Sequence, residues 1–303
     1  MSATNTSGTT TMTAMQAVNA ALFQAMAADD KVLVLGEDIA DREGGGITGA
    51  AKGLSTKFGT ARVKSTPISE QAIMGAAIGA AMSGYKPVAE IMLMNFTTVC
   101  MDMIFNHAAK LRFMSGGQTS VPLTIRTLTG AGWQTAGQHA DHLEGWFAHT
   151  AGIKVVAPSN PADYKGLLLA CIADPDPCIF IESAGTLFVP GEVADDSGPI
   201  PLGQAKVVQE GTDLTVITWG AQLFQCLEAL DNLPEDVSIE LIDLRTLNPL
   251  DYDCIAQSVE KTGRAVVVQE AVKLCSLGVG DLGDHPGAML PEPEGAGAAR
   301  RGL

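Results

Sequence analysis

Two spacings of apolar residues alternate along the first part of the chain. From Thr13 the run MQAVNAALFQAMAADD repeats them at helical intervals, and KVLVLGED then stays apolar long enough to read as a short buried strand. Thr13 suits the helix start, because its hydroxyl can accept one of the unpaired first-turn amides. The alternation continues with a helix over 69–82, a strand over 87–92 and a long helix over about 96–114. A strand over 122–126, a Gly-rich loop, a helix near 143–149, a strand over 153–156, a helix over 161–171 and a strand over 178–181 follow. Strands separated by helices predict a mostly parallel sheet covered on both faces.

The stretch VPGEVADDSGPIPLG, 189–203, is rich in Pro, Gly and Asp and reads as a linker. Beyond it the alternation resumes, with strands near 205–208, 214–218, 239–242 and 265–268 and helices near 221–230 and 251–261. This predicts two units, an α/β domain over 13–188 and a smaller α/β domain over 204–272. The polar, low-complexity start, 1–12, reads as a disordered tail. The segment 273–303 carries neither period and reads as a divergent, irregular tail.

Composition narrows the class. The 303 residues are 46% hydrophobic, enough for two cores, and 33 glycines with 5% aromatics suit closely packed layers. The net charge is -15, and between Glu192 and Glu270 stand 15 acidic against 4 basic residues. Such a surface repels nucleic acid and anionic membranes and favours a basic protein partner. No stretch approaches the ~20 apolar residues of a membrane span, and the start lacks the order of a signal peptide. The six cysteines form no CxxC pair and sit mostly in apolar stretches, as in a protein of the reducing cytoplasm.

Three segments carry candidate chemistry. In TPISE, 66–70, proline sets an extended entry, Ser69 can cap, and Glu70 falls in the first turn of a helix whose glycines, Gly75 and Gly79, allow close approach by another chain. By itself, an acid there also serves simply as a partner for the helix dipole. GGGITG places Gly44, Gly46 and Gly49 as GxGxxG, but GEDIADRE separates them from the strand where a dinucleotide-binding turn must be tight, so an NAD-dependent oxidoreductase is disfavoured. His139, Asp141, His142 and His149 admit a zinc reading that lacks a fixed fourth ligand.

The runs KSTPISEQAIMGAAIGAAMSGYKPVAEIM, NHAAKLRFMSGGQ, PLTIR, Gln138-His139, FAHTAGIKVVAPSNPADYKGLLLACI, DPCIFIE and LIDLRTLNPLD resemble the beta subunits of pyruvate, branched-chain 2-oxo acid and acetoin dehydrogenases, in unbroken order from about Thr13 to Glu270. The resemblance implies a thiamine-enzyme pyrimidine-binding domain followed by a smaller, transketolase C-terminal-like α/β domain, here truncated or divergent. It implies thiamine diphosphate shared with an alpha subunit that holds magnesium, since this chain lacks a GDG with a following Asn pair. It further implies an alpha2beta2 heterotetramer, a lipoyl-bearing acyltransferase core as acyl acceptor, and a 2-oxo acid or acetoin as substrate.

Carried over residue by residue, the resemblance makes Glu70 the carboxyl group that meets the pyrimidine nitrogen and favours the imino tautomer able to take the thiazolium proton. Ile68, Met92 and Phe96 line the pyrimidine pocket, Glu37 lies near the cofactor, and His139 handles protons and acyl transfer. Main-chain carbonyls of Leu123, Thr124, Cys171, Asp174 and Asp176 match a structural potassium site. Two departures feed an alternative reading as a non-catalytic interaction subunit: Ala140 and Asp141 replace the usual Ser-Gln after the histidine, and the C-terminal strand and helix expected of the family give way to a Gly, Ala and Pro-rich tail.

Overall fold

Thr13 makes a reciprocal cap: its hydroxyl accepts the Gln16 amide at 3.2 Å, and the Gln16 side chain accepts the Thr13 amide at 2.8 Å. In the computed structural model, which describes residues 8–131 and 135–280, the elements of the first region follow in order. They are β1 (Thr9–Thr13), α1 (Ala14–Ala28), β2 (Val32–Glu37), α2 (Leu54–Phe58), β3 (Val63–Thr66), α3 (Glu70–Met82), β4 (Lys86–Leu93), α4 (Leu111–Met114), β5 (Thr124–Thr129), α5 (Glu144–Ala148), β6 (Lys154–Val156), α6 (Pro161–Ala173) and β7 (Cys178–Ser183). The second region adds β8 (Pro190–Ala194), β9 (Lys206–Gln209), β10 (Leu214–Thr218), α7 (Gln222–Leu230), β11 (Ile239–Asp243), β12 (Thr246–Asn248), α8 (Tyr252–Thr262), β13 (Ala265–Val267) and α9 (Leu277–Gly280).

Seven strands form the main sheet in the order β12-β6-β7-β5-β4-β2-β3, parallel throughout except where β12 meets β6. A four-stranded sheet, β13-β10-β11-β9, builds the C-terminal region, with β9 antiparallel. One face of the main sheet is covered by α1 and α6, where Val18, Leu22, Met26 and Leu167 are fully buried. The other is covered by α3 and the turns after β4, and its core runs on without a break into Ile217, Trp219, Leu244 and Leu247 of the second region. Emptying one such position, as in Leu22→Ala, costs about 2–5 kcal/mol.

Four expectations are corrected. Residues 96–114 do not form one helix: Met94–Cys100 is 3-10, Met103–Ala108 makes a π turn, and α4 is a separate short piece. The side chains of Thr97, Thr98 and Cys100 each bond a carbonyl three residues back, tightening the start, while the Ala109 amide reaches five back to Ile104 at 3.0 Å. Within 1–12, Thr9–Met12 is ordered, because β1 pairs antiparallel with β8 and so satisfies its backbone groups; residues 1–7 lie outside the described part. The 189–203 linker therefore contains a strand. Finally, 273–280 is not loose, since Leu277 is buried in the shared core; 281–303 lies outside the described residues.

Candidate active site

In an open parallel sheet, ligands sit beyond the carboxyl ends of the strands, where successive strands are laid down on opposite sides. Here that point lies between β2 and β4: β3 adds on one side of β2 and β4 on the other. Glu37 ends β2 and Met92 lies near the end of β4. Thr66 ends β3 opposite Glu37, and the chain then turns through Pro67, Ile68 and Ser69 into α3, whose first residue is Glu70. Ser69 stands at the N-cap position, but its side chain makes no capping hydrogen bond.

The electrostatics tie these positions together. Burial pushes the Glu37 carboxyl above its ordinary range, and the neighbouring charges of Glu70 and Asp38 push it further. Cys100, buried beneath, has its thiol pushed up to about 12, by burial first and then by the Glu70 charge, so it is inert. Glu70 itself is half-buried, and Ile68 beside it is 82% exposed. An apolar side chain left this bare beside two carboxylates is suited to covering by something absent from this chain.

His139 completes the arrangement. Its ring meets Phe96 edge to face at 5.4 Å, and its Nδ1 is buried without a hydrogen-bond partner. The loop after it is fastened by Asp141, which exchanges two hydrogen bonds with Asn95, at 2.6 and 3.1 Å, and accepts the Thr129 hydroxyl through its carbonyl at 2.7 Å. Asp141, where the residue after next to the histidine departs from the family pattern, is thus a loop anchor. Asn95 escaped sequence reading because only the fold brings it to residues 46 positions away.

At the centre of the sheet, Arg126 of β5 is buried between Glu90 of β4 and Glu182 of β7, at 2.7 and 2.6 Å. The GGGITG segment rests on this triad: a Cβ on Gly46 would stand 2.7 Å from Glu90 Oε1. The amides of Gly45 and Gly46 bond the carbonyls of Ala40 and Asp38, so they are not presented to a phosphate, and the dinucleotide reading loses its mechanism.

Leu123, Thr124, Cys171, Asp174 and Asp176 gather where β5 begins and α6 ends. The Leu123 carbonyl accepts the Cys178 amide at 2.9 Å and the Cys171 carbonyl that of Asp174 at 3.2 Å, while Lys154 bonds both Asp174 oxygens at 2.6 Å and Arg112 bonds Asp176 at 2.6 Å. A cation there has second carbonyl lone pairs to use, the side chains being neutralised already. His142 faces Glu270 and Glu144, His149 is exposed, and among the described residues no three His, Cys, Asp or Glu are placed to hold a metal ion. A cavity of about 750 Å³ is lined by Phe113, Val121, Lys154, Asp176 and Pro249 and touches none of Glu37, Glu70, Phe96 or His139. The carboxylate site is instead a half-open surface.

Carboxylates thus stand at the switch point of one α/β unit, backed by a second unit that shares its core. Residues 10–188 match the model described as "Transketolase, pyrimidine binding domain" and residues 203–280 that described as "Transketolase, C-terminal domain". The chain is 46% identical over 270 residues to the acetoin:2,6-dichlorophenolindophenol oxidoreductase subunit beta of Cupriavidus necator, covering 86% of this chain and 80% of that one. It is 44% identical over 287 residues to the pyruvate dehydrogenase E1 component subunit beta of Bacillus subtilis, covering 93% and 88%. A solved structure described as a split gene transketolase, inactive beta4 tetramer, shares the fold with a TM-score of 0.72 at 20% identity, over 88% of this chain and 82% of that one. The chain belongs to the transketolase-type thiamine-diphosphate enzymes, in the family of acetoin and pyruvate dehydrogenase beta subunits. Among the described residues no helix is long and apolar enough to cross a membrane.

Proposed function

We propose that this chain supplies the aminopyrimidine half of a thiamine-diphosphate site in a dehydrogenase that cleaves a 2-oxo acid or acetoin. It works with an alpha subunit, as an alpha2beta2 heterotetramer in the cytoplasm, and passes the acyl group to a lipoyl-bearing acyltransferase core. The observation that carries this reading is Glu70 on the first turn of α3, half-exposed beside Glu37 and a bare Ile68 at the sheet's switch point. Six cysteines without a disulfide suit a reducing compartment.

Thiamine diphosphate, when bound, supplies the electron sink for breaking the carbon–carbon bond beside a carbonyl. This chain's residues do the rest of the work on its side of the site. Glu70 holds a proton against the pyrimidine nitrogen, and Glu37, whose carboxyl is raised by burial and then by the charge of Glu70, stands beside it. Ile68, Met92 and Phe96 give the ring an apolar seat and exclude water. His139, with a buried Nδ1 that has no hydrogen-bond partner, moves protons at the substrate. Magnesium belongs to the alpha subunit. Potassium, if held, takes the carbonyls of Leu123, Thr124, Cys171, Asp174 and Asp176.

The test is the co-expressed pair assayed against a panel of 2-oxo acids and acetoin, with deuterium exchange at the thiazolium carbon followed for the wild type and for Glu70→Ala. Exchange and turnover are expected only in the pair and are lost in the variant. Undiminished exchange in Glu70→Ala, or a catalytically active lone chain, overturns the reading.

A further inference from the structure

The loop between β5 and α5 carries His139, and its two ends meet one carboxylate. Glu270, which follows β13 in the C-terminal region, accepts the Ala131 amide N–H at 2.6 Å and stands 3.1 Å from His142 Nε2. It comes to Ala131 across 139 residues of sequence. His142 is a wedge: its side chain is 11% exposed, and on its other side Nδ1 lies 3.7 Å from Glu144.

The charges in this pocket support an ion pair. Burial disfavours the His142 imidazolium, yet the Glu270 contact and the charges of Glu144, Glu270 and Asp141 outweigh it and raise the imidazole's pKa. Burial also works against the Glu270 charge, but His142, the Ala131 amide and Gln222 hold its carboxyl below the usual range. Glu144, more deeply buried, has its carboxyl raised by burial despite His142 and Trp219 nearby. His142 and Glu270 thus shift each other in the directions of an ion pair, 3.1 Å apart, with the carboxylate contributed by a different region of the fold.

Asn95 and Thr129 also fasten the loop at Asp141, beside His142, and the Leu143 amide donates to Met94 Sδ at 3.0 Å. Glu270 ties the Ala131 end to the same anchor. Fastening Ala131 and His142 to one carboxylate limits how far His139 can move, and a catalytic imidazole displaced by about 1 Å loses roughly a hundredfold in rate. We propose that Glu270 is a positioning residue for the reaction, clamping through Ala131 and His142 the loop that presents His139; this rests on the thiamine reading above.

Two measurements test the clamp. Hydrogen exchange of the full-length chain, followed by mass spectrometry, should show the peptide spanning 130–142 exchanging about tenfold faster in Glu270→Ala and in His142→Gln, with the remainder of the chain unchanged. In the assembled pair, Glu270→Ala should lower kcat by about tenfold or more with KM kept within about twofold, and Glu270→Gln, which keeps an acceptor for Ala131, should fall between it and the wild type. A double-mutant cycle separates positioning from general damage: Glu270→Ala added to His139→Ala should cost nothing further. Unchanged exchange in both variants, or losses in kcat that multiply in the double variant, overturns the proposal. If the wild-type pair turns over none of the substrates, it is the thiamine reading that falls, while the exchange result still judges the clamp. Should Glu270→Ala fail to assemble, His142→Gln carries the same cycle.

Discussion

The imidazole of His139 and the ring of Phe96 meet edge to face, with centroids 5.4 Å apart and planes inclined at 75°. Phe96 belongs to the 3-10 segment after β4 and His139 to the loop after β5, so the contact spans two neighbouring strands of the main sheet at their carboxyl ends. An aromatic pair of this kind contributes about 0.5–1.5 kcal/mol beyond its buried area.

Phe96→Ala should therefore lower kcat of the assembled enzyme by about three- to tenfold, the rate equivalent of that energy, while Phe96→Tyr keeps most of it. Steady-state kinetics on the pair decides. A Phe96→Ala enzyme with wild-type kcat would show that the ring contact does not orient the histidine.

Arg126 is enclosed by Glu90 and Glu182, with every side chain of the triad nearly dry. Arg126→Met should cost about 3–5 kcal/mol in urea denaturation, because two buried carboxylates lose the counter-charge they share. Replacing both acids as well, Glu90→Gln with Glu182→Gln, should recover most of that loss. A single Arg126→Met variant as stable as the wild type would mean that the triad contributes nothing.

Asp243 ends β11 in full burial, and burial first, then the charge of Asp163, raises its carboxyl to about 7 from 3.8. Between those values the folded protein holds a proton that the unfolded chain has released. The stabilisation is complete below about pH 4, declines as pH rises through the window and is gone above about 7, a swing on the order of 4 kcal/mol. Asp243→Asn should remove this part of the pH dependence, so the difference in denaturation midpoint between pH 5 and pH 8 shrinks. An identical difference in variant and wild type would assign the dependence to other groups.

Gly46 has φ near +83°, and a Cβ there would press on Glu90 Oε1 at 2.7 Å. Gly46→Ala should cost about 1–3 kcal/mol, through backbone strain together with the disturbed carboxylate. Thermal melts measure it. A parallel titration should show no NAD binding to the wild-type chain, since the Gly44, Gly45, Gly46 and Gly49 amides are already taken.

The amino-acid sequence alone determined the alternation of helices and strands, the Thr13 cap, the division into two α/β units and the placing of Glu70 on a helix's first turn. These rest on spacings and caps a few residues long, which every segment carries within itself. The tertiary structure decided the rest. It sent β12 from the second region into the first region's sheet, ordered β1 against β8, and broke 94–114 into three pieces where side chains compete for carbonyls. It also brought Glu270 to Ala131 and His142, and Asn95 to Asp141, because a contact between residues distant in sequence exists only once the sheet has set the ends of its strands side by side.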